Sequence, residues 1–229
     1  MYWPYYSDWT ILLVIPGIII AIWAQSRVNK AYRIYSKIPV RSGITGRETA
    51  MRILWQNGIS DVGVEAAHGM LTDNYNPLKR TLNLSEANYS GSSIAAVAVA
   101  AHESGHALQH KTGFFPLQIR SAIAPIVSIA SYALWPLLIF GMLAGFAQQV
   151  INIAVYIFLG IFAFQLITLP VEYNASRRAL AALVDGGMLT EEEIHGAKSM
   201  LNAAALTYVA ATLIALLNVL RFMALSRRR

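Results

Sequence analysis

The sequence predicts a mainly α-helical, polytopic membrane protein, and three observations lead there. Hydrophobic residues make up 56% of the chain and charged residues 13%, a balance outside the soluble range. The 51 positions from Ser121 to Val171 (121 to 171 inclusive) hold no charged side chain. Between Ile94 and Gln109 there is no proline and a single glycine, Gly105, so one unbroken helix can follow the N-cap residues Ser92 and Ser93.

The elements follow in order. Trp9 to Ala24 is an apolar run with Trp3, Tyr5, Tyr6 and Trp9 at one end and Trp23 at the other, the aromatic belt of a first spanning helix over 9–24. It lacks a basic n-region and leads into Arg27, Lys30, Arg33, Lys37 and Arg41, so it reads as an anchor and not a leader. Thr49 to Gln56 reads as a short helix stopped by Asn57-Gly58, followed by the turn-rich stretch Asp73 to Pro77. Arg80 to Ser85 alternates apolar and polar residues, as a strand does. A helix over 93–110 comes next. Two spans, 123–147 and 150–169, fit the charge-free run with a polar turn at Gln148-Gln149. Pro170 can open a further helix at the membrane surface, in a segment reaching 199, where Thr190 and Glu193 form a capping box. Met200 to Leu220 is a last apolar helix, interrupted by Asn202, Thr207, Tyr208, Thr212 and Asn218 and followed by Arg227 to Arg229. Those arginines favour a helix lying in the cytoplasmic leaflet over a fourth span. The whole chain, 1–229, reads as a single membrane-embedded domain.

Charge sets the expected orientation. Of the 18 lysines and arginines, 11 lie between the first two spans, three between Glu172 and Lys198, and four in the C-terminal tail. The positive-inside rule then places the N-terminus outside and residues 26–120 in the cytoplasm, in the plasma or inner membrane if the protein is bacterial. The net charge of +6 is accounted for by that rule and by anionic headgroups. With its basic residues spread beside spans, the chain has no nucleic-acid patch, and its expected partners are membrane lipid and a peptide or protein.

The chemistry concentrates at His102-Glu-Ser-Gly-His106. Residues four apart on a helix sit roughly 40° apart around it and roughly 6 Å apart along it, so both imidazoles can reach one metal ion. Glu103 is beside them, placed to take a proton from an attacking water. Flanks that are apolar on all sides bury this helix, and buried polar groups need partners or a metal. Gly105 and Ser104 leave room for another segment to approach. With no cysteine in the chain, a zinc ion must be held by histidine and carboxylate. His110 lies roughly 12 Å along the axis from His102, too far to share the ion, and suits a polar helix-end role. Glu172, the first charge after the apolar hairpin, is the better third ligand, with Ala175 and Ala179 on its face letting its helix press on the histidine helix. An intramembrane alternative takes its third ligand from Asp185-Gly186. Another is a non-catalytic assembly factor with a structural zinc site, against which the intact Glu103 speaks. His68 and His195 read as surface residues.

Three stretches, Ala100-Ala-His-Glu-Ser-Gly-His-Ala-Leu-Gln-His110, Leu169-Pro-Val-Glu-Tyr-Asn-Ala-Ser176 and Leu201-Asn-Ala-Ala-Ala-Leu-Thr-Tyr208, resemble the YugP-type family of membrane zinc metallopeptidases. More distantly the chain is similar to the HtpX and CAAX-prenyl-protease gluzincins. The resemblance covers nearly the full length. It implies a gluzincin-like zinc peptidase domain with a small β-sheet at the cytoplasmic face, one Zn2+ per chain on His102, His106 and Glu172, and Glu103 as general base. The HtpX-type pattern has an aspartate where this chain has Ser176, so support for a ligand histidine must come from elsewhere, with Asn174 or Ser176 as candidates. In similar peptidases an edge strand before the metal helix pairs with an extended substrate, a role expected here for Thr81, Leu82, Asn83 and Leu84. Tyr208 and Arg177 are candidates to stabilise an oxyanion.

Overall fold

The computed structural model describes residues 9–69 and 72–227. Trp3, Tyr5, Tyr6, Arg228 and Arg229 lie outside the described residues. A 3-10 turn at Trp9–Leu13 leads into α1, Ile15–Tyr35, which runs past Ala24 because its basic continuation is made of good helix formers. α2, Gly46–Gln56, starts at a capping box between Thr45 and Glu48 and buries Ile53 and Leu54. Three strands follow: β1, Gly63–Ala67, β2, Asn74–Asn76, and β3, Thr81–Ser85. A short α3, Glu86–Ser90, precedes α4, Ile94–Lys111, whose N-cap Ser93 accepts from the Ala96 amide.

The sheet order is β1-β3-β2, with β1 parallel and β2 antiparallel to β3. Thr81 to Leu84 therefore form the central strand, which corrects the expectation of an edge. Alternation shows which face of a strand is buried: Leu82 and Leu84 are fully buried, packed with Ala50 and Ala100. It carries no information about which strands lie on either side.

α5, Phe115–Leu143, begins before the expected 123 because Pro116 suits a first helical turn. The connection to α6, Ala147–Asp185, turns at Gly145, whose φ of 84° belongs to the left-handed region, and not at Gln148-Gln149. Gln148 instead lies in the first turn of α6 and donates to Ser226 O. Pro170 does not open a new helix. It sits inside the 39-residue α6, as prolines do where surrounding groups satisfy the backbone they disturb.

α7, Glu191–Ser226, starts at the expected Thr190–Glu193 capping box. It runs antiparallel to α6, and Ser226 at its end bonds Gln148 and Asn152 at the start of α6. The apolar stretch 200–220 is thus part of one continuous helix that reaches the far end of the bundle. Among the described residues four helices, those within Trp9–Tyr35, Phe115–Leu143, Ala147–Asp185 and Glu191–Ser226, are long and apolar enough to cross a membrane. Two cores result. One joins α2, α4 and the adjacent ends of α6 and α7 through Ile53, Val97, Leu183 and Leu201. The other lies in the α5–α6–α7 bundle around Leu134, Phe158 and Phe222.

Candidate metal centre

α4 brings His102 and His106 to one face, their rings 4.9 Å apart edge to face. Glu172 enters from α6, almost completely buried. Its Oε2 lies 3.2 Å from His102 Nε2 and 3.6 Å from His106 Nε2. Among the described residues these three form the one group of histidines and carboxylates whose ligand atoms, within 4.8 Å of one another, can close on a single ion. Ligands about 2.0–2.1 Å from a tetrahedral zinc sit roughly 3.3 Å from each other, so the donor spacing fits that ion.

The opposite ring nitrogens fix how the imidazoles face. Gln109 is fully buried, and its Nε2 donates to Val171 O at 2.7 Å and to Asn174 Oδ1 at 3.1 Å. Its Oε1 must then accept from His106 Nδ1, at 3.0 Å, which leaves the Nε2 lone pair facing Glu172. Ser176 Oγ holds His102 Nδ1 at 3.1 Å. Ser176 thus takes up the histidine support, while Asn174 acts through Gln109. Gly105 makes the approach of α6 possible, since a Cβ there would overlap the carbonyl of Ala175. Ala175 and Ala179, both fully buried, line that contact as expected.

Glu103 lies in a cavity of about 280 Å³ with the three ligand residues. The Tyr75 backbone of β2 favours the ionised form of the Glu103 carboxylate. Burial pushes the Glu103 carboxyl up to about 7; the charge of His102 works against burial, and that of Glu172 adds to it. A carboxyl with that affinity can accept a proton and release it again near neutrality.

Several expected residues are placed elsewhere. Asp185 is exposed at the end of α6, about 20 Å along the helix from Glu172, so the intramembrane ligand set does not form. Arg177 is exposed and does not line the cavity, because its position on α6 faces away from α4. Thr81 to Leu84 do not line it either; Asn74 and Tyr75 of β2 do. His110 bonds the Tyr75 hydroxyl at 2.7 Å, a polar helix-end role. Tyr208 does line the cavity, alongside Glu172. His68 pairs with Glu86 on the surface.

Two residues at the centre escaped sequence reasoning. Arg120 lines the cavity and pairs through Nη1 with Glu172 Oε1 at 2.9 Å. The signal was present: Arg120 is the last charge before the charge-free run and Glu172 the first after it, so the hairpin brings its two bracketing charges together. Gln109 was the other, an amide in an otherwise apolar helix three residues after a ligand.

Two imidazoles and a carboxylate able to close on one ion, with a second carboxylate alongside, stand among helices long and apolar enough to cross a membrane. The chain belongs to the family described as "Putative neutral zinc metallopeptidase", which it matches over residues 10–227. It is 46% identical over 212 residues to the "Putative membrane protease YugP" of Bacillus subtilis (strain 168), covering 93% of this chain and 94% of that protein. The resemblance drawn from the three motif stretches is borne out by both matches. No solved structure matches.

Proposed function

We propose that the protein is a zinc-dependent membrane endopeptidase of gluzincin type that hydrolyses exposed segments of membrane or membrane-adjacent proteins. The observation that carries this reading is the pairing of a buried His102–His106–Glu172 donor set with Glu103 in the same cavity. One Zn2+ per chain on these ligands supplies Lewis acidity, polarising the scissile carbonyl and activating water at neutral pH. Glu103 takes the proton of the attacking water and delivers it to the leaving amine. Tyr208 directs a hydroxyl into the cavity where charge develops on the carbonyl oxygen. Arg120 holds Glu172 Oε1, so that Oε2 stays turned to the histidines. β2 lies at the edge of the sheet and beside the cavity, so an extended substrate pairs with Asn74–Asn76 and not with Thr81–Leu84. The basic segments between spans support a cytoplasmic site with the N-terminus outside.

Metal analysis of the purified protein in detergent tests the ligand set. Wild type, Glu103→Gln and Asp185→Ala should each hold one zinc, and Glu172→Ala should lose it. A wild type without zinc, or a Glu172→Ala variant that keeps it, overturns the reading. Cleavage of an unfolded protein substrate by wild type and not by Glu103→Gln tests the chemistry.

A further inference from the structure

A cavity of about 700 Å³, separate from the one that holds Glu103, lies where α1, α6 and α7 meet. Arg27 and Lys30 reach it from α1, Lys198 and His195 from α7, and Tyr173 from α6; no carboxylate lines it. Among the described residues, neither Arg27, Lys30 nor Lys198 forms an ion pair with a carboxylate; Arg27 instead lies 5.9 Å over the ring of Trp23. Ser199 and Asn202 add hydrogen-bonding groups, and Leu206 closes the end nearest the apolar stretch of α7.

The depth of this cavity is fixed by the helices. The start of α6 and the end of α7 meet at the far end of the bundle. A hydrocarbon layer of about 30 Å measured from there is spanned by about 20 residues, which ends at Leu206 on α7. Asn202 and Lys198 then stand about 6 and 12 Å beyond that boundary, and Tyr173 about 9 Å beyond it on α6. With a headgroup layer about 5–8 Å thick on each side, Asn202 stands inside that layer and Tyr173 and Lys198 just beyond it, within a side chain's length of the phosphates. A cavity walled by cations and hydroxyls at that depth, with an apolar side chain at its inner end, matches a phosphate ester carried on acyl chains. Basic pockets between spanning helices bind anionic headgroups in this way.

We propose that the α1–α6–α7 cavity is a specific site for one anionic diacyl phospholipid, its phosphate held by Lys30, Lys198 and Arg27 and its chains following the apolar helix faces below Leu206. The site is independent of the metal centre, although α6 serves both: Glu172 faces the metal ligands and its neighbour Tyr173 lines the lipid cavity.

Delipidated full-length protein in mild detergent would be titrated with phosphatidylglycerol, phosphatidylcholine and inorganic phosphate, and bound molecules counted by native mass spectrometry. One phosphatidylglycerol per chain should bind ahead of phosphatidylcholine, and millimolar inorganic phosphate should fail to displace it. The Lys30→Ala/Lys198→Ala variant should bind phosphatidylglycerol about 30-fold more weakly, given the interfacial worth of two lysines. The same charge removed at Lys37 and Lys79 should leave binding unchanged. Equal binding of the two lipids overturns the proposal, as does displacement by phosphate alone, and both outcomes are read on wild type. An unaltered affinity in Lys30→Ala/Lys198→Ala also overturns it. Zinc content of each variant reports whether the fold is retained.

Discussion

α4 and α5 are neighbours in the chain, both helical and both predominantly apolar, yet their surroundings are opposite. α4 has nearly every side chain buried, including Glu103, Ser104, His106 and Gln109. Of the 29 residues of α5 only Leu117, Leu134 and Leu138 are buried, while Ile129, Tyr132 and Trp135 are each more than 60% exposed. Residue size explains the difference. Small residues let α4 meet its neighbours closely, Gly105 against the Ala175 carbonyl of α6 and Ala96 against Gly46 of α2, whereas Ile129, Trp135 and Phe140 of α5 project outward. Apolar character alone says that a helix avoids water. Side-chain volume says whether protein or lipid replaces it.

The contrast can be broken by asking each helix to do without its special residues. The largest effect belongs to Glu103→Gln, which should lower peptide hydrolysis by about 10²–10⁴-fold while zinc content and unfolding temperature stay near wild type. A comparable loss from any α5 substitution facing lipid would erase the distinction. Next comes Gln109→Leu. Removing the group that orients His106 should weaken zinc binding by about 10–100-fold, measured by competition with a chelating dye.

Glycines sharpen the same comparison in stability. Gly105→Ala drives a methyl into the carbonyl of Ala175 and should cost about 1–3 kcal/mol or more in reversible unfolding in detergent. Gly160→Ala, on an α6 face where a Cβ meets nothing within 4 Å, should be neutral or stabilise by up to about 1 kcal/mol. The smallest effect is expected for Ile129→Ala on α5, within about 0.5 kcal/mol in detergent, since no protein contact is lost.

Much of this arrangement was legible in the sequence. The i, i+4 histidines, the N-cap Ser93, the capping boxes at Thr45 and Thr190 and the small face of Ala175 and Ala179 are local signals, and the structure contains each of them. Thr45 with Glu48 is the one that sequence reading passed over, starting that helix at 49. What could not be read was lateral order. Leu82 and Leu84 are pointed at the core by alternation whether β3 is central or at an edge. Pro170 reads as a helix start because proline ends most soluble helices, a rule that weakens inside a bundle. Arg227 counted against a fourth span, whereas the helix that carries it is long and apolar enough to cross a membrane. Asp185 was named for its Asp-Gly pair and Arg177 as a donor for an oxyanion, but helical geometry carries the first along the axis and turns the second away.

The unbroken course of α6 has a consequence of its own. From Ala147 to Glu172 is 25 residues without interruption, about 38 Å of rigid rod, against about 30 Å of hydrocarbon. On an α6 that crosses a bilayer along its normal, Glu172 would stand about 8 Å above the lipid tails, two residues beyond Pro170. The helix acts as a measuring rod. In such a membrane the height of the candidate metal site would follow bilayer thickness, and a thinner bilayer would lift the site further from the tails.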